Sequence, residues 1–106
     1  MTEKEVKEII TKIEEYLDNA KIRNDHVISI IGSKNVIENI TAFIDIIYRS
    51  PEYIGNTMLP FPIIIGAIAG REINFVISDR IEGNSVYIHI YSKWKEDEYD
   101  VRTKIN

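Results

Sequence analysis

Tyr87, His89 and Tyr91 occupy every second position of the run Val86-Tyr87-Ile88-His89-Ile90-Tyr91-Ser92. On a strand, that spacing puts the three rings on one face and Val86, Ile88 and Ile90 on the other. A row of aromatic rings on an open sheet face can stack unpaired bases. It can equally anchor a protein contact, because Tyr brings large area at low entropy cost. The plainest alternative is that the rings only cover the sheet and turn their polar tips to water. Their expected cross-strand neighbours are Asn74 and Val76. A subunit contact is the preferred reading.

Gly32-Ser33-Lys34 falls where a strand should give way to a helix. Free amides at a helix start and a nearby lysine favour phosphate. The motif is short, with neither GxGxxG nor GxxxxGK[ST] present, so a serine N-cap after a turn glycine is the simpler expectation. Ser33, Lys34, Arg71 and Lys93 are kept as candidate anion or nucleic-acid contacts.

Catalytic sets are poor. With 2 His and 0 Cys, a Ser-His-Asp or Cys-His site has few ways to form. No H-x-x-x-H or E-x-x-H spacing suggests a metal site. His26 follows Asp25 at a strand start, where a structural role is expected. Glu14-Glu15 and Glu96-Asp97-Glu98 read as solvated carboxylates. No catalytic residue, cofactor or metal is therefore assigned.

The stretch Ile31-Gly32-Ser33-Lys34-Asn35-Val36, followed by Ala42, resembles the first strand-to-helix segment of the Alba family of archaeal chromatin proteins. That resemblance implies a dimer and a nucleic-acid contact at Lys34. It covers about an eighth of the chain. Alba proteins are basic and carry a helix between their second and third strands. This chain is acidic, reads as hairpins there, and begins with an extra helix. We do not adopt the assignment.

The elements that must position these residues follow from periodicity. Val6, Ile9, Ile10, Ile13, Leu17 and Ala20 form one apolar stripe, which predicts a helix over residues 3–20. Thr2 and Glu5 fit a capping box, and Glu3–Lys7 and Glu8–Lys12 are favourable i,i+4 pairs. Residues 26–31 read as a buried strand. A second helix is expected from Ser33 to Tyr48, with the stripe Val36, Ile37, Ile40, Phe43, Ile44, Ile47 widened by Ala42 and Ile46. Residues 49–60 hold Pro51, Gly55 and Pro60 and read as a long connection, with a helical turn expected at Ser50-Pro51-Glu52.

The remainder reads as sheet. Residues 61–69 are apolar on both faces, and Gly70-Arg71 fits a two-residue hairpin turn. Ile73, Phe75 and Ile77 alternate with Glu72, Asn74, Val76 and Ser78. Turns are expected at Glu82-Gly83-Asn84 and at residues 95–98. Tyr99, Val101, Thr103 and Ile105 then alternate with Glu98, Asp100, Arg102 and Lys104, a charged edge strand. The expected fold is a two-layer α+β domain over residues 1–106, in the order α-β-α-β-β-β-β, ending in an antiparallel meander.

Composition narrows the class. Ile at 23 against Leu at 2 favours sheet, because Ile is stiff at χ1 and suits a pleated surface. Absent Cys and Gln beside abundant Lys and Glu follow the trend of hyperthermophile proteins. A formal charge of −4 argues against a general nucleic-acid or anionic-membrane binder. Residues 1–20 are charged throughout, unlike a signal peptide, and no run of 18 apolar residues occurs. The resulting expectation is a cytoplasmic, non-enzymatic interaction or assembly protein from a thermophilic, archaeal-like source. Its partner is expected to be a second copy, or else another protein, with no membrane contact. The contact would involve Tyr87, His89, Tyr91, Ile64 and Ile68, or else Ala42 and Ile46. One alternative is nucleic-acid binding through Lys34, Arg71, Lys93 and the three rings. The other is a small-ligand site or enzyme around Tyr53, Asn56 and His89.

Overall fold

The computed structural model describes residues 1–51, 53–58, 61–93 and 102–106. Helix α1 spans Glu3–Asn19. Thr2 caps it, accepting from the Glu5 amide at 3.2 Å while its hydroxyl donates to Glu5 Oε1 at 3.1 Å. Glu3 and Lys7 pair at 2.9 Å on the exposed face. Val6, Ile9, Ile13 and Leu17 are buried and Ile10 packs beside them, as the stripe requires.

Strand β1 spans His26–Gly32 and helix α2 spans Lys34–Thr41. The Ser33 hydroxyl accepts from the Val36 amide at 3.4 Å and donates to the Gly83 carbonyl at 3.0 Å. Here the structure departs from expectation. The helix stops seven residues before Tyr48, and Asp45–Arg49 forms strand β2. Residues 44–48 are β-branched or aromatic apart from Asp45. Such a run suits a strand as well as a helix. The backbone pairing offered by β5 (Ile64–Ile68) decides it. A bulge falls at Ile47, between the pairs Ile46–Gly66 and Tyr48–Ile65. Gly66 permits the approach: a Cβ there would sit 2.8 Å from Ile44 Cδ1, 3.0 Å from Phe75 Cε2 and 3.1 Å from the Asp45 carbonyl.

The connection after β2 carries a small hairpin, β3 (Tyr53–Ile54) and β4 (Thr57–Met58), turning at Gly55 with φ +61°. The helical turn expected at Ser50-Pro51-Glu52 reaches a residue outside those described. Strand β6 spans Arg71–Ile77. The β5–β6 turn is Ala69-Gly70 rather than Gly70-Arg71, because Ile68 pairs with Arg71 and both turn residues have positive φ, 53° and 72°. That double positive φ is the twist-matched hairpin geometry.

Strand β7 spans Val86–Ser92 and β8 spans Arg102–Lys104. The six-stranded sheet runs β2-β5-β6-β1-β7-β8. The class is the expected α+β two-layer one, but the sheet is mixed rather than a meander. β1 inserts between β6 and β7, parallel to the first and antiparallel to the second. β1 is buried from Ile28 to Gly32, which suits a central strand better than an edge. β8 is an edge strand with Arg102 and Lys104 exposed, as its charge pattern implied. The expected turn at 95–98, and Glu98 to Val101 of that strand, lie outside the described residues.

One hydrophobic cluster joins the layers. It unites Val6, Ile9, Ile13 and Leu17 of α1 and Val36, Ile37 and Ile40 of α2 with Ile28, Ile30, Ile64, Ile68, Ile73, Phe75, Ile77, Val86 and Ile88. The helices therefore cover one face of the sheet.

Candidate functional site: the open sheet face and the cleft at its end

Residues alternating with the core set point away from the helices. Across β7 and β1 they pair as Tyr87–Ile31, His89–Ser29 and Tyr91–Val27. Across β1 and β6 the rows continue as Ile31–Val76 and Ser29–Asn74, and on β5 as Asn74–Ile65 and Glu72–Ala67. β2 adds Tyr48 beside Ile65 and Asp45 beside Ala67. At the far edge Lys104 stands opposite Tyr87 and Arg102 opposite His89.

The aromatic row thus exists as expected, but its neighbours differ. Asn74 and Val76 lie one strand further away, because β1 intervenes. Ile64 and Ile68, expected beside the rings, are 1% and 4% exposed and belong to the core cluster. Ile65 and Ala67 take the outward positions instead. Residues 61–69 are apolar on both sides, so composition carried no signal for which parity faces the helices. The His89 and Tyr91 rings lie 5.0 Å apart, tilted by 36°. Val76 and Tyr48 are exposed, whereas Ile31 is buried yet stands outside the core cluster.

The basic candidates separate into two groups. Lys34 is exposed at the start of α2, beyond the C-terminal end of β1. Ser33 beside it works as the N-cap, with its proton given to Gly83. Arg71 and Lys93 lie at the opposite end, where β1 and β6 begin and β7 finishes. There they line a cleft of about 440 Å³ together with Arg23, Asn24, His26 and Asn74. Sequence reasoning did not place Arg23, His26 or Asn74 in a site. They are distant in the chain, and only the strand order gathers them.

Hydrogen bonds fix this end of the sheet. His26 Nδ1 accepts from the Arg23 amide at 3.1 Å, the structural role expected for a histidine at a strand start. Ser92 donates to Asp25 Oδ2 at 2.7 Å, and Arg23 Nε lies 3.3 Å from Asp25 Oδ1. The Ser92 hydroxyl first, and the Arg23 guanidinium after it, hold the Asp25 carboxyl below its ordinary value against some desolvation. The Lys93 amide closes the corner on the Asp25 carbonyl at 2.9 Å.

Tyr53 and Asn56, expected beside His89, fall on the separate β3–β4 hairpin and its turn, while His89 is in β7. No group of three or more His, Cys, Asp or Glu that could hold a metal occurs among the described residues. No helix among them is long and apolar enough to cross a membrane.

These features define a two-layer α+β protein with helices on one sheet face and an aromatic, charge-flanked row on the other. Comparison with protein-family models, with curated proteins and with solved structures finds no match.

Proposed function

We propose that the protein is a non-enzymatic assembly protein whose open sheet face pairs with the same face of a second copy. The observation that carries this reading is the one-sided cover of the sheet. Val27, Ile31, Ile65, Val76, Tyr87 and Tyr91 make that face apolar and aromatic, yet the helices pack on the other side. Six strands at about 4.8 Å spacing, of five, five, seven, seven, seven and three described residues at roughly 3.3 Å each, give a face of roughly 540 Å². Two such faces bury about 1,100 Å², the size of a small, weakly held interface.

Charge favours a second copy as the occupant. Asp45 and Glu72 lie on the β2-β5-β6 half of the face, and Arg102 and Lys104 on the β8 edge. A two-fold axis lying between the sheets and along the strands sets the basic edge of each copy over the acidic half of the other. Self-complementary pairing of this kind is the commonest route to a dimer.

Light scattering over a tenfold dilution tests the reading. The expected particle has twice the 12.3 kDa chain mass. A particle of one chain mass at every concentration overturns it. The basic residues beside the rings favour one second reading, single-stranded nucleic acid stacked on Tyr87 and His89. Titration with oligonucleotides at two salt concentrations separates the two, since phosphate contacts weaken steeply with salt.

The reading also places the protein in the cytoplasm of a thermophile. A melting midpoint below about 65 °C counts against the thermophilic origin.

A further inference from the structure

We infer that the cleft where β1 and β6 begin and β7 ends is a binding site for a small phosphorylated molecule. Three cationic side chains reach it from three separate elements: Arg23 from the α1–β1 turn, Arg71 from the start of β6 and Lys93 from the end of β7. Glu72 is the single carboxylate lining it among the described residues. The other nearby acid, Asp25, is held by Ser92 and Arg23. Arg71 and Lys93 form no ion pair among the described residues, in a chain whose net charge is −4. Two cations with no ion-pair partner among the described residues, gathered on an acidic protein, attract an anion locally where the protein as a whole repels it.

A second observation points the same way. His26 Nδ1 accepts a backbone N–H, so the proton of the neutral ring sits on Nε2. That Nε2 is enclosed and has no hydrogen-bond partner among the described residues. Buried donors are seldom left so. The wall of a basic cleft thus contains a donor without an acceptor among the described residues. The Asn74 side chain adds an amide to the lining.

The arrangement selects the ligand class. The guanidinium of Arg71 can bind two phosphate oxygens side by side, and Lys93 supplies a point charge. The volume of about 440 Å³ suits a molecule of metabolite size. Among the described residues, His26 is the one aromatic ring that lines the cleft. The described lining, cationic and polar, fits a phosphate on a small polar body.

Calorimetry with inorganic pyrophosphate and with ribose 5-phosphate, each at constant ionic strength and up to about 20 mM, tests this. Saturable binding of at least one probe is expected. The double variant Arg71→Gln/Lys93→Gln should weaken it about tenfold or more, while Lys34→Gln at the other end of β1 should not change it. Because the double variant could misfold, amide and imidazole NMR shifts of the unaltered protein provide an independent reading. They should move at His26, Asn74 and Arg71 and stay fixed at Lys34. Absence of saturable binding for both probes overturns the site. So does equal binding by a folded double variant, or a shift pattern centred elsewhere.

Discussion

The two faces of the six-stranded sheet are built from the same strands in the same register, yet they have different compositions. Toward the helices stand Ile28, Ile30, Ile73, Phe75, Val86 and Ile88, all buried and aliphatic apart from one ring. Away from them stand Val27, Ser29, Ile31, Asn74, Val76, Tyr87, His89 and Tyr91. Core stability accounts for the first set completely, because each residue is removed from water by a packed neighbour. It does not account for tyrosines and a histidine on a face the helices leave uncovered. The comparison teaches that one strand pattern with period two gives the two sides of the same backbone different tasks: folding on the covered side and, on the reading proposed above, association on the open one.

The sharpest way to break this comparison is to attack the covered face. Ile13 is fully buried in α1 against the core, so Ile13→Asp buries a charge and should cost several kcal/mol, on the order of 3–5. Urea denaturation measures it. An unchanged midpoint would mean that α1 is not docked on the sheet.

Gly66→Ala comes next. Its new methyl meets Ile44, Phe75 and the Asp45 carbonyl at 2.8–3.1 Å. β2 must then shift, and the expected loss is about 1–3 kcal/mol by the same denaturation. A neutral result would contradict the close β2–β5 approach.

On the open face the prediction inverts. Val76 is 41% exposed, so Val76→Lys should change chain stability by no more than about 0.5 kcal/mol at a concentration where only monomer is present. Sedimentation at high concentration should nevertheless show the dimer lost. Loss of stability without loss of mass would make Val76 a packing residue and dissolve the contrast between the faces.

The smallest effect is a pH dependence at the sheet end. Asp25 has a folded pKa below its ordinary 3.8, so its contribution is complete above that value. It is lost as pH falls below 3.8 toward the folded pKa, where protonation breaks the bond from Ser92. Asp25→Asn should flatten that part of the stability-versus-pH curve and leave neutral pH slopes unchanged. Thermal melts from about pH 7 down to about pH 2 read it, and an unaltered acid slope would deny the carboxylate this role.

Legibility in the sequence tracked how far each feature depends on local information. Helix α1 was readable nearly residue by residue, since a one-sided stripe and a Thr2–Glu5 box admit one periodicity. The segment after Thr41 was not. Phe43, Ile44, Ile46 and Ile47 satisfy a helical stripe and a strand equally well, and the pairing partner that decides between them starts nineteen residues after Asp45, at Ile64. The ring row was legible because alternation is local. Its neighbours were not, because nothing in residues 72–92 announces that β1 will enter between β6 and β7.

The sequence by itself determined the α+β class, the helix caps, the alternation that sets Tyr87, His89 and Tyr91 on one side, and the charged edge at Arg102 and Lys104. Each rests on propensity, periodicity or capping within a few residues. Tertiary structure alone decided that β1 is central, that Ile64 and Ile68 face inward while Ile65 faces out, and that Arg23, Arg71 and Lys93 share one cleft. Those outcomes depend on which strands pair over long loops. Strand order is selected by burial summed over the whole sheet, a quantity that no local window of residues contains.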